Sequence, residues 1–134
     1  MPVSPTLRLR LINLWPPFAG AGIRVRQVSS GPLAFETRMA LRAWNRNYVG
    51  THFGGSLYAM TDPFYMLILI RELGSGFTVW DKAATIRFRR PGRGTVVARF
   101  EIPRERIEEI RREVEQRGRA EPDFTAEVRD LQGE

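Results

Sequence analysis

Polar and apolar residues alternate along several stretches of this chain, with the two-residue period of half-buried β-strands. Ile23 and Val25, for example, are separated by arginines, and Ala84, Ile86 and Phe88 are separated in the same way. Turn signals at 29–32 and at Pro91-Gly92 divide these stretches into two predicted antiparallel hairpins, and we read Pro91-Gly92 as a type II turn. The strands predicted from this pattern cover residues 22–28, 35–43, 77–90, 96–102 and 124–128.

Two further stretches have the character of helices. Residues 56–73 are apolar on nearly every side, which predicts a helix that is buried all round and ends at Gly74. Residues 103–118 begin with a proline, end with a glycine and carry one narrow apolar stripe, as expected of a surface helix.

The order of these elements predicts an α+β fold in which a curved, mostly antiparallel sheet wraps around one long buried central helix. A length of 134 residues fits a single domain, 1–134. Within it, residues 1–21 form an N-terminal helix and loop extension, and residues 103–118 form an inserted surface helix. After the strand at 124–128 only a turn follows, so a strand to pair with that edge is missing.

Composition narrows the possible partners and cofactors. No apolar run is long enough for a membrane span, and the chain has no cysteine and one histidine, which argues against a metal site. A cytoplasmic protein is the expectation. The net charge of +6 is concentrated in a stripe that contains no acid, and either phosphate groups or a solvated strand face would explain it. No aromatic-interleaved motif of the kind found in nucleic-acid binding proteins accompanies these charges, so we do not expect nucleic acid as a partner. The stripe consists of Lys82, Arg87, Arg89, Arg90, Arg93 and Arg99.

Candidate chemistry is concentrated between Asn47 and Asp62. Gly54 and Gly55 open the predicted helix, where free backbone N–H groups suit a polarised carbonyl oxygen. Asp62 follows eight residues later on the same helical face and could orient a water or act as a base.

Each of these residues also has a purely structural interpretation. Asp62 precedes Pro63 and could cap a helix that restarts there. The glycines could serve close packing, Asn47 could cap a turn, and His52 could be a hydrogen-bonding loop residue.

The stretch NYVGTHFGGSLYAMTD resembles a signature of the hotdog superfamily of acyl thioesterases and dehydratases. The pattern Asn47-x-x-Gly50-x-x-Phe53-Gly54-Gly55 is similar to the asparagine–glycine–His-Gly-Gly motif of phenylacetate-pathway-type thioesterases, and Asp62 falls where that group has its catalytic carboxylate. Residues 86–91 with Gly94 resemble the strand and turn after the helix. The resemblance covers residues 22–130 and is greatest to an uncharacterised branch with an FGGSLYA-type helix start. Two differences are Phe53 in the place of the motif histidine, with His52 displaced by one position, and the missing final strand.

The resemblance implies a hydrolase that acts on acyl-CoA or acyl-carrier-protein thioesters. It assigns catalytic roles to Asp62, Gly54 and Asn47, with coenzyme A present only as part of the substrate, and no metal or other cofactor. It also implies a homodimer or a dimer of dimers with sites at the interface. The alternative is a non-catalytic hotdog module that binds acyl groups or serves assembly. Candidate substrate-binding residues are Gly55, His52, Phe53, Arg89, Arg90 and Arg93.

Overall fold

A computed structural model describes residues 11–134 of the chain; the beginning of the predicted N-terminal extension, residues 1–10, lies outside the described residues. The fold is α+β, as predicted, and the order of its elements is α, β, β, α, α, β, α, β. These are α1 (Pro16–Ala21), β1 (Ile23–Ser30), β2 (Leu33–Met39), α2 (Gly54–Ala59), α3 (Phe64–Leu73), β3 (Val96–Phe100), α4 (Arg104–Arg117) and β4 (Val128–Asp130).

The four strands form one antiparallel sheet in the order β1-β2-β3-β4. Alternation predicted the location of β1, β2 and β3 because one face of each strand is buried: Thr37 and its partner Ala98, for example, are both inaccessible to solvent. The predicted 124–128 strand is displaced toward the C-terminus and is reduced to the short β4, which pairs with β3.

The core lies between the inner face of this sheet and the helices. Phe64, at the start of α3, is fully buried, and its ring stacks on Phe100 of β3 with 4.9 Å between centroids. Phe35 of β2 and Phe18 of α1 contact the same ring, at 5.3 and 6.0 Å. Since Phe18 is only 1 % exposed, the N-terminal helical region is part of the core and not an appendage to it.

The prediction of one long central helix is wrong, because α2 and α3 are separate helices with residues 60–63 between them. Proline lacks an N–H group, its ring clashes with the carbonyl four residues earlier, and it disfavours helical geometry in the residue before it. Pro63 therefore prevents a continuous helix. Burial all round is also wrong, since Tyr58 and Ile70 remain 39 % and 46 % exposed.

The predicted strand at 77–90 has no partner within residues 11–134. Both edges of β3 are occupied, one by β2 and the other by β4, so the predicted hairpin between 77–90 and 96–102 does not form. The type II turn is wrong as well, because Gly94 and not Gly92 has a positive φ, +65°. Residues 80–90, here called the exposed segment, run along the surface without regular structure.

Helix α4 is confirmed between Pro103 and Gly118, and Gly118 ends it with a positive φ of 80°. The apolar stripe of α4 is part of the hydrophobic core, since Ile107 and Ile110 are each 2 % exposed. Among residues 11–134, no helix combines the length and the apolar character needed to cross a bilayer.

Candidate active site

The loop between β2 and α2 is held by a buried asparagine that the sequence did not single out. Asn45 is 5 % exposed, and its Oδ1 accepts a 2.6 Å hydrogen bond from the backbone N–H of Arg42. Its Nδ2 donates to the carbonyls of Ala21 and Ala40 at 2.9 and 2.8 Å. One amide side chain thus joins the end of α1, the end of β2 and the loop that leads to the predicted site.

Asn47, predicted to be catalytic, is engaged inside the same loop. Its Oδ1 accepts hydrogen bonds from the backbone N–H groups of Val49 and Thr51, at 3.1 and 3.0 Å. Its Nδ2 donates to Thr51 Oγ1 and to the carbonyl of His52, at 2.9 and 3.3 Å. These contacts are those of an Asx turn, in which the side chain substitutes for backbone partners.

His52 is a buried anchor between this loop and the turn before β3. It is 2 % exposed, its Nε2 lies 2.6 Å from the carbonyl oxygen of Gly94, and its backbone N–H donates to the carbonyl of Gly92 at 2.9 Å. Because a carbonyl can only accept, Nε2 donates this hydrogen bond, and the buried Nδ1 has no hydrogen-bond partner among the described residues. His52 was identified as a candidate from the sequence, but the residues that it contacts, Gly92 and Gly94, lie about forty residues further along the chain.

The glycine pair begins α2, as predicted, and each glycine is packed against an aromatic ring. A Cβ atom on Gly54 would come within 3.0 Å of Phe88 Cζ, and one on Gly55 within 2.6 Å of Phe53 Cε1. Both rings are more than half exposed, at 59 % and 57 %. No side chain caps the helix, and the N–H groups of Gly54 and Gly55 have no hydrogen-bond acceptor within residues 11–134.

Asp62 lies between α2 and α3, two residues after Met60, whose carbonyl is hydrogen-bonded to the sheet. Thr37 of β2, fully buried, donates its hydroxyl to the carbonyl of Met60 at 2.9 Å. Helix α3 begins after Pro63 and has no side-chain cap, so the interpretation of Asp62 as a helix cap is wrong. The Asp62 carboxylate therefore accepts no capping hydrogen bond from the start of α3.

The electrostatics at Asp62 come mainly from its surroundings. Loss of surrounding water raises the pKa of the Asp62 carboxyl above its usual value of 3.8, although the residue as a whole is exposed. The carboxyl of Asp81, within hydrogen-bonding reach, raises this pKa further through like charge. Asp81 was missed because nothing local in the sequence indicates that the exposed segment passes this point.

The three candidate arginines do not form one cluster of free cations. Arg90 Nη1 lies 3.2 Å from a carboxylate oxygen of Glu134, although both side chains are largely exposed. Arg89 and Arg93 are exposed and have no salt bridge within residues 11–134. Lys82 of the same stripe is paired with Glu121 at 2.7 Å.

The predicted site residues thus divide into two groups. Asn47, His52, Phe53 and the glycine pair lie together where the loop enters α2, and Asp62 lies beyond the other end of that helix with Asp81. An open groove of about 590 Å³ lies elsewhere, on the outer face of β3 and β4, and none of the candidate residues lines it.

An antiparallel sheet packed against helices, with a carboxylate pair beyond a glycine-led helix, defines this protein as an α+β domain of a type already seen in a solved structure. The chain is similar to the crystal structure of PA5026 from Pseudomonas aeruginosa, a protein of unknown function and probable thioesterase. The two share 26 % sequence identity with a TM-score of 0.77 over 100 % of this chain and 89 % of the other. The chain belongs to the DUF4442 family, a domain of unknown function that matches residues 6–134. No curated protein matches it significantly.

Proposed function

We propose that this protein is a hotdog-fold thioesterase that hydrolyses acyl-CoA or acyl-carrier-protein thioesters. The observation that carries the proposal is the Asp62 carboxylate: it caps no helix, its pKa is raised, and it follows a helix that begins with Gly54 and Gly55. The resemblance of the Asn47–Asp62 stretch to thioesterase motifs and the similarity to a probable thioesterase support it.

In this reaction the Gly54 N–H would polarise the thioester carbonyl, and a water would attack its carbon. Asp62 would take the proton from that water as general base and, as the C–S bond breaks, would return it to the departing sulfur, which leaves as the free thiol. Direct attack by the Asp62 carboxylate, followed by hydrolysis of the anhydride, would use the same residue as a nucleophile. A carboxylate with a raised pKa is a stronger base than an ordinary one, which favours either route.

The positions of Gly54 and Asp62 bear on how the site is assembled. Gly54 begins α2, whose six residues rise about 9 Å, and Asp62 lies beyond the other end of that helix, so the two groups of one chain are too far apart to act on one carbonyl. A site that uses both groups would then take Gly54 from one subunit and Asp62 from another. This supports a homodimer or a dimer of dimers as the active form.

The remaining candidate residues would bind the substrate. Arg89 and Arg93, exposed and unpaired within the described part of the chain, suit the phosphates of coenzyme A, whereas Arg90 would have to exchange its contact with Glu134. The exposed Phe53 ring beside Gly55 offers an apolar contact for the acyl group, and the backbone of Gly55 lines the approach. Buried His52 would act only by fixing the loop.

Hydrolysis of a panel of acyl-CoA thioesters of different chain lengths, followed by release of the free thiol, tests the proposal. Asp62→Asn and Asp62→Ala should lower kcat/KM by about 10²–10⁴-fold on any substrate that is turned over. Asp123→Asn, also an exposed aspartate, is the matched control and should leave the rate unchanged. Full activity of Asp62→Ala, or no turnover of any thioester, would reject the proposal.

The hydrogen bonding and burial within the loop between β2 and α2 favour a second candidate function. Because Asn47 is saturated and His52 is buried, neither is available to touch a substrate, as expected of a hotdog module that binds acyl groups or serves assembly without catalysis. Calorimetry would then detect acyl-CoA binding without turnover, and Asp62→Asn would leave the affinity unchanged.

A further inference from the structure

The helical turn at residues 11–14, just before α1, has apolar side chains on both its buried and its exposed sides. Ile12 packs against the core. Leu11, Leu14 and Trp15, here called the N-terminal apolar face, are 54 %, 72 % and 51 % exposed. A surface helix that buries one side normally carries polar residues on the other, and large apolar side chains grouped in water are typical of an interaction surface.

The N-terminal apolar face is held against the free edge of β1. In the same turn, Asn13 Nδ2 donates to the carbonyl of Val25 at 3.2 Å, and its Oδ1 accepts from the backbone N–H of Val25 at 2.7 Å. One amide side chain thus substitutes for a neighbouring strand at this edge of the sheet. The ring of Trp15 also packs on buried Phe18, with 5.4 Å between centroids. The three exposed side chains are therefore presented together beside β1.

The charge beside the N-terminal apolar face is of one sign. Arg24, adjacent to Val25 on β1, is exposed and has no salt bridge within residues 11–134. Its partner in the register of the sheet is a second arginine, Arg38. Guanidinium groups opposite each other repel, and an anion that both can contact removes this repulsion. Residues 1–35 contain no Asp or Glu and four arginines, Arg8, Arg10, Arg24 and Arg26.

This combination of side chains suits the surface of an anionic bilayer. Leucine and tryptophan side chains bind at the boundary between lipid head groups and acyl chains, and neighbouring arginines bind anionic lipids. Such contact with one leaflet needs no spanning helix. Nucleic acid would satisfy the arginines but would leave Leu11 and Leu14 in water. A second copy docked on the same face would bring Arg24 toward Arg24, so like charges would oppose it.

We propose that the N-terminal apolar face and Arg24 form a docking site for an anionic lipid surface. Leu11, Leu14 and the indole of Trp15 enter the boundary between head groups and acyl chains, while Arg24 and Arg38 contact lipid phosphates. None of these residues is among those proposed to act on a thioester. Docking therefore goes beyond the proposed function and does not depend on it.

Co-sedimentation with extruded vesicles measures the affinity. The wild-type protein should bind vesicles of phosphatidylcholine that contain about 30 % phosphatidylglycerol and should bind pure phosphatidylcholine much more weakly. Leu14→Ala should weaken binding to the anionic vesicles about tenfold, because less apolar surface enters the bilayer. Arg24→Ala should weaken it about fivefold. The matched controls Leu131→Ala and Arg112→Ala remove exposed residues elsewhere and should leave binding unchanged.

Tryptophan fluorescence identifies the surface that meets the lipid. The chain has three tryptophans, so the double variant Trp44→Phe, Trp80→Phe keeps Trp15 as the only one. Its emission should shift to shorter wavelength on the anionic vesicles and should be quenched by brominated lipid. The variant Trp15→Phe, Trp44→Phe keeps Trp80 and should show neither effect. Stronger quenching of Trp80 than of Trp15 would place the exposed segment on the membrane and would overturn the proposed surface.

Several results would overturn the docking site. These are no binding of the wild-type protein to anionic vesicles, equal binding to neutral ones, and unchanged binding by Leu14→Ala. If Leu14→Ala lowers self-association in sedimentation velocity but leaves vesicle binding unchanged, the face is a contact between copies. If a DNA duplex binds and Arg24→Ala weakens it while Leu14→Ala does not affect either ligand, the partner is nucleic acid. No thioester is needed, so a failure here leaves the proposed function untouched.

Discussion

The carboxyl group of Asp62 lies within hydrogen-bonding reach of the carboxyl group of Asp81, although one follows a helix and the other belongs to the exposed segment. The negative charge of Asp81 disfavours the ionisation of Asp62, in addition to the effect of lost water around Asp62. A carboxyl whose pKa is raised in the folded chain binds its proton more tightly there than in the unfolded chain. Ionising it therefore costs stability.

Asp81→Asn should lower the pKa of Asp62 toward its ordinary value of 3.8 without restoring it fully, because the loss of water around the carboxyl, the larger cause, remains. The measurement is a ¹³C NMR titration of the Asp62 carboxyl. Wild-type stability should fall as pH rises from 3.8 through the raised pKa, so the stability gained by the variant should appear above this window and vanish below it. Asp123→Asn is the control, and an unchanged Asp62 midpoint in Asp81→Asn would refute the coupling.

The hydrogen bond between Thr37 and Met60, just before the break between α2 and α3, should contribute to the free energy of unfolding. Thr37→Val keeps the shape of the side chain but leaves the Met60 carbonyl without its partner in a fully buried position, which should cost about 1–3 kcal/mol of the free energy of unfolding. Urea denaturation measures this cost. Thr37→Ser retains the hydroxyl and should recover part of the stability; if the valine variant is as stable as wild type, the bond contributes nothing.

Local patterns predicted most of the sheet and α4, because the cause of each lies in neighbouring residues. The alternation of Ile23 and Val25 is enough to place β1, and Pro103 and Gly118 limit α4 whatever packs against it. In contrast, alternation in residues 80–90 indicates that one face should be covered but not what covers it. The exposed segment is therefore strand-like in sequence and unpaired in the chain.

The candidate site was predictable only in part for the same reason. Gly54 and Asp62 were identified from their spacing, and the break at Pro63 could be read locally as a competing possibility. The role of His52 depends on Gly92 and Gly94, and the environment of Asp62 depends on Asp81. In both cases the contacting residues are distant in the sequence. Contacts between distant segments decide which polar residues are structural and which remain available for chemistry.

Burial of Phe18 predicts that the N-terminal helical region is required for folding. Phe18→Ala should remove about 3–5 kcal/mol of the free energy of unfolding, because it opens a cavity beside the ring of Phe64. Thermal and urea unfolding both report it. Leu14→Ala, in the same region but 72 % exposed, should cost little, and equal effects of the two substitutions would show that the region is not part of the core.

The contacts of Arg111 predict that this side chain stabilises the packing of α4 against the end of α3. Its guanidinium donates to the carbonyls of Glu72 and Leu73, at 2.7 and 3.1 Å, and lies 5.5 Å from the centre of the Phe77 ring. A cation at the C-terminal end of a helix also interacts favourably with the helix dipole. One side chain thus satisfies two carbonyls that have no partner inside α3.

Arg111→Ala should therefore cost about 1.5–3 kcal/mol of the free energy of unfolding, because charged hydrogen bonds to these carbonyls are lost. Arg111→Lys keeps the charge without the planar fork that reaches both carbonyls, so it should recover only part of that loss. Arg112→Ala, next to it on α4 but exposed, is the matched control in urea denaturation. If Arg112→Ala destabilises as much as Arg111→Ala, the effect belongs to α4 itself and not to its contact with α3.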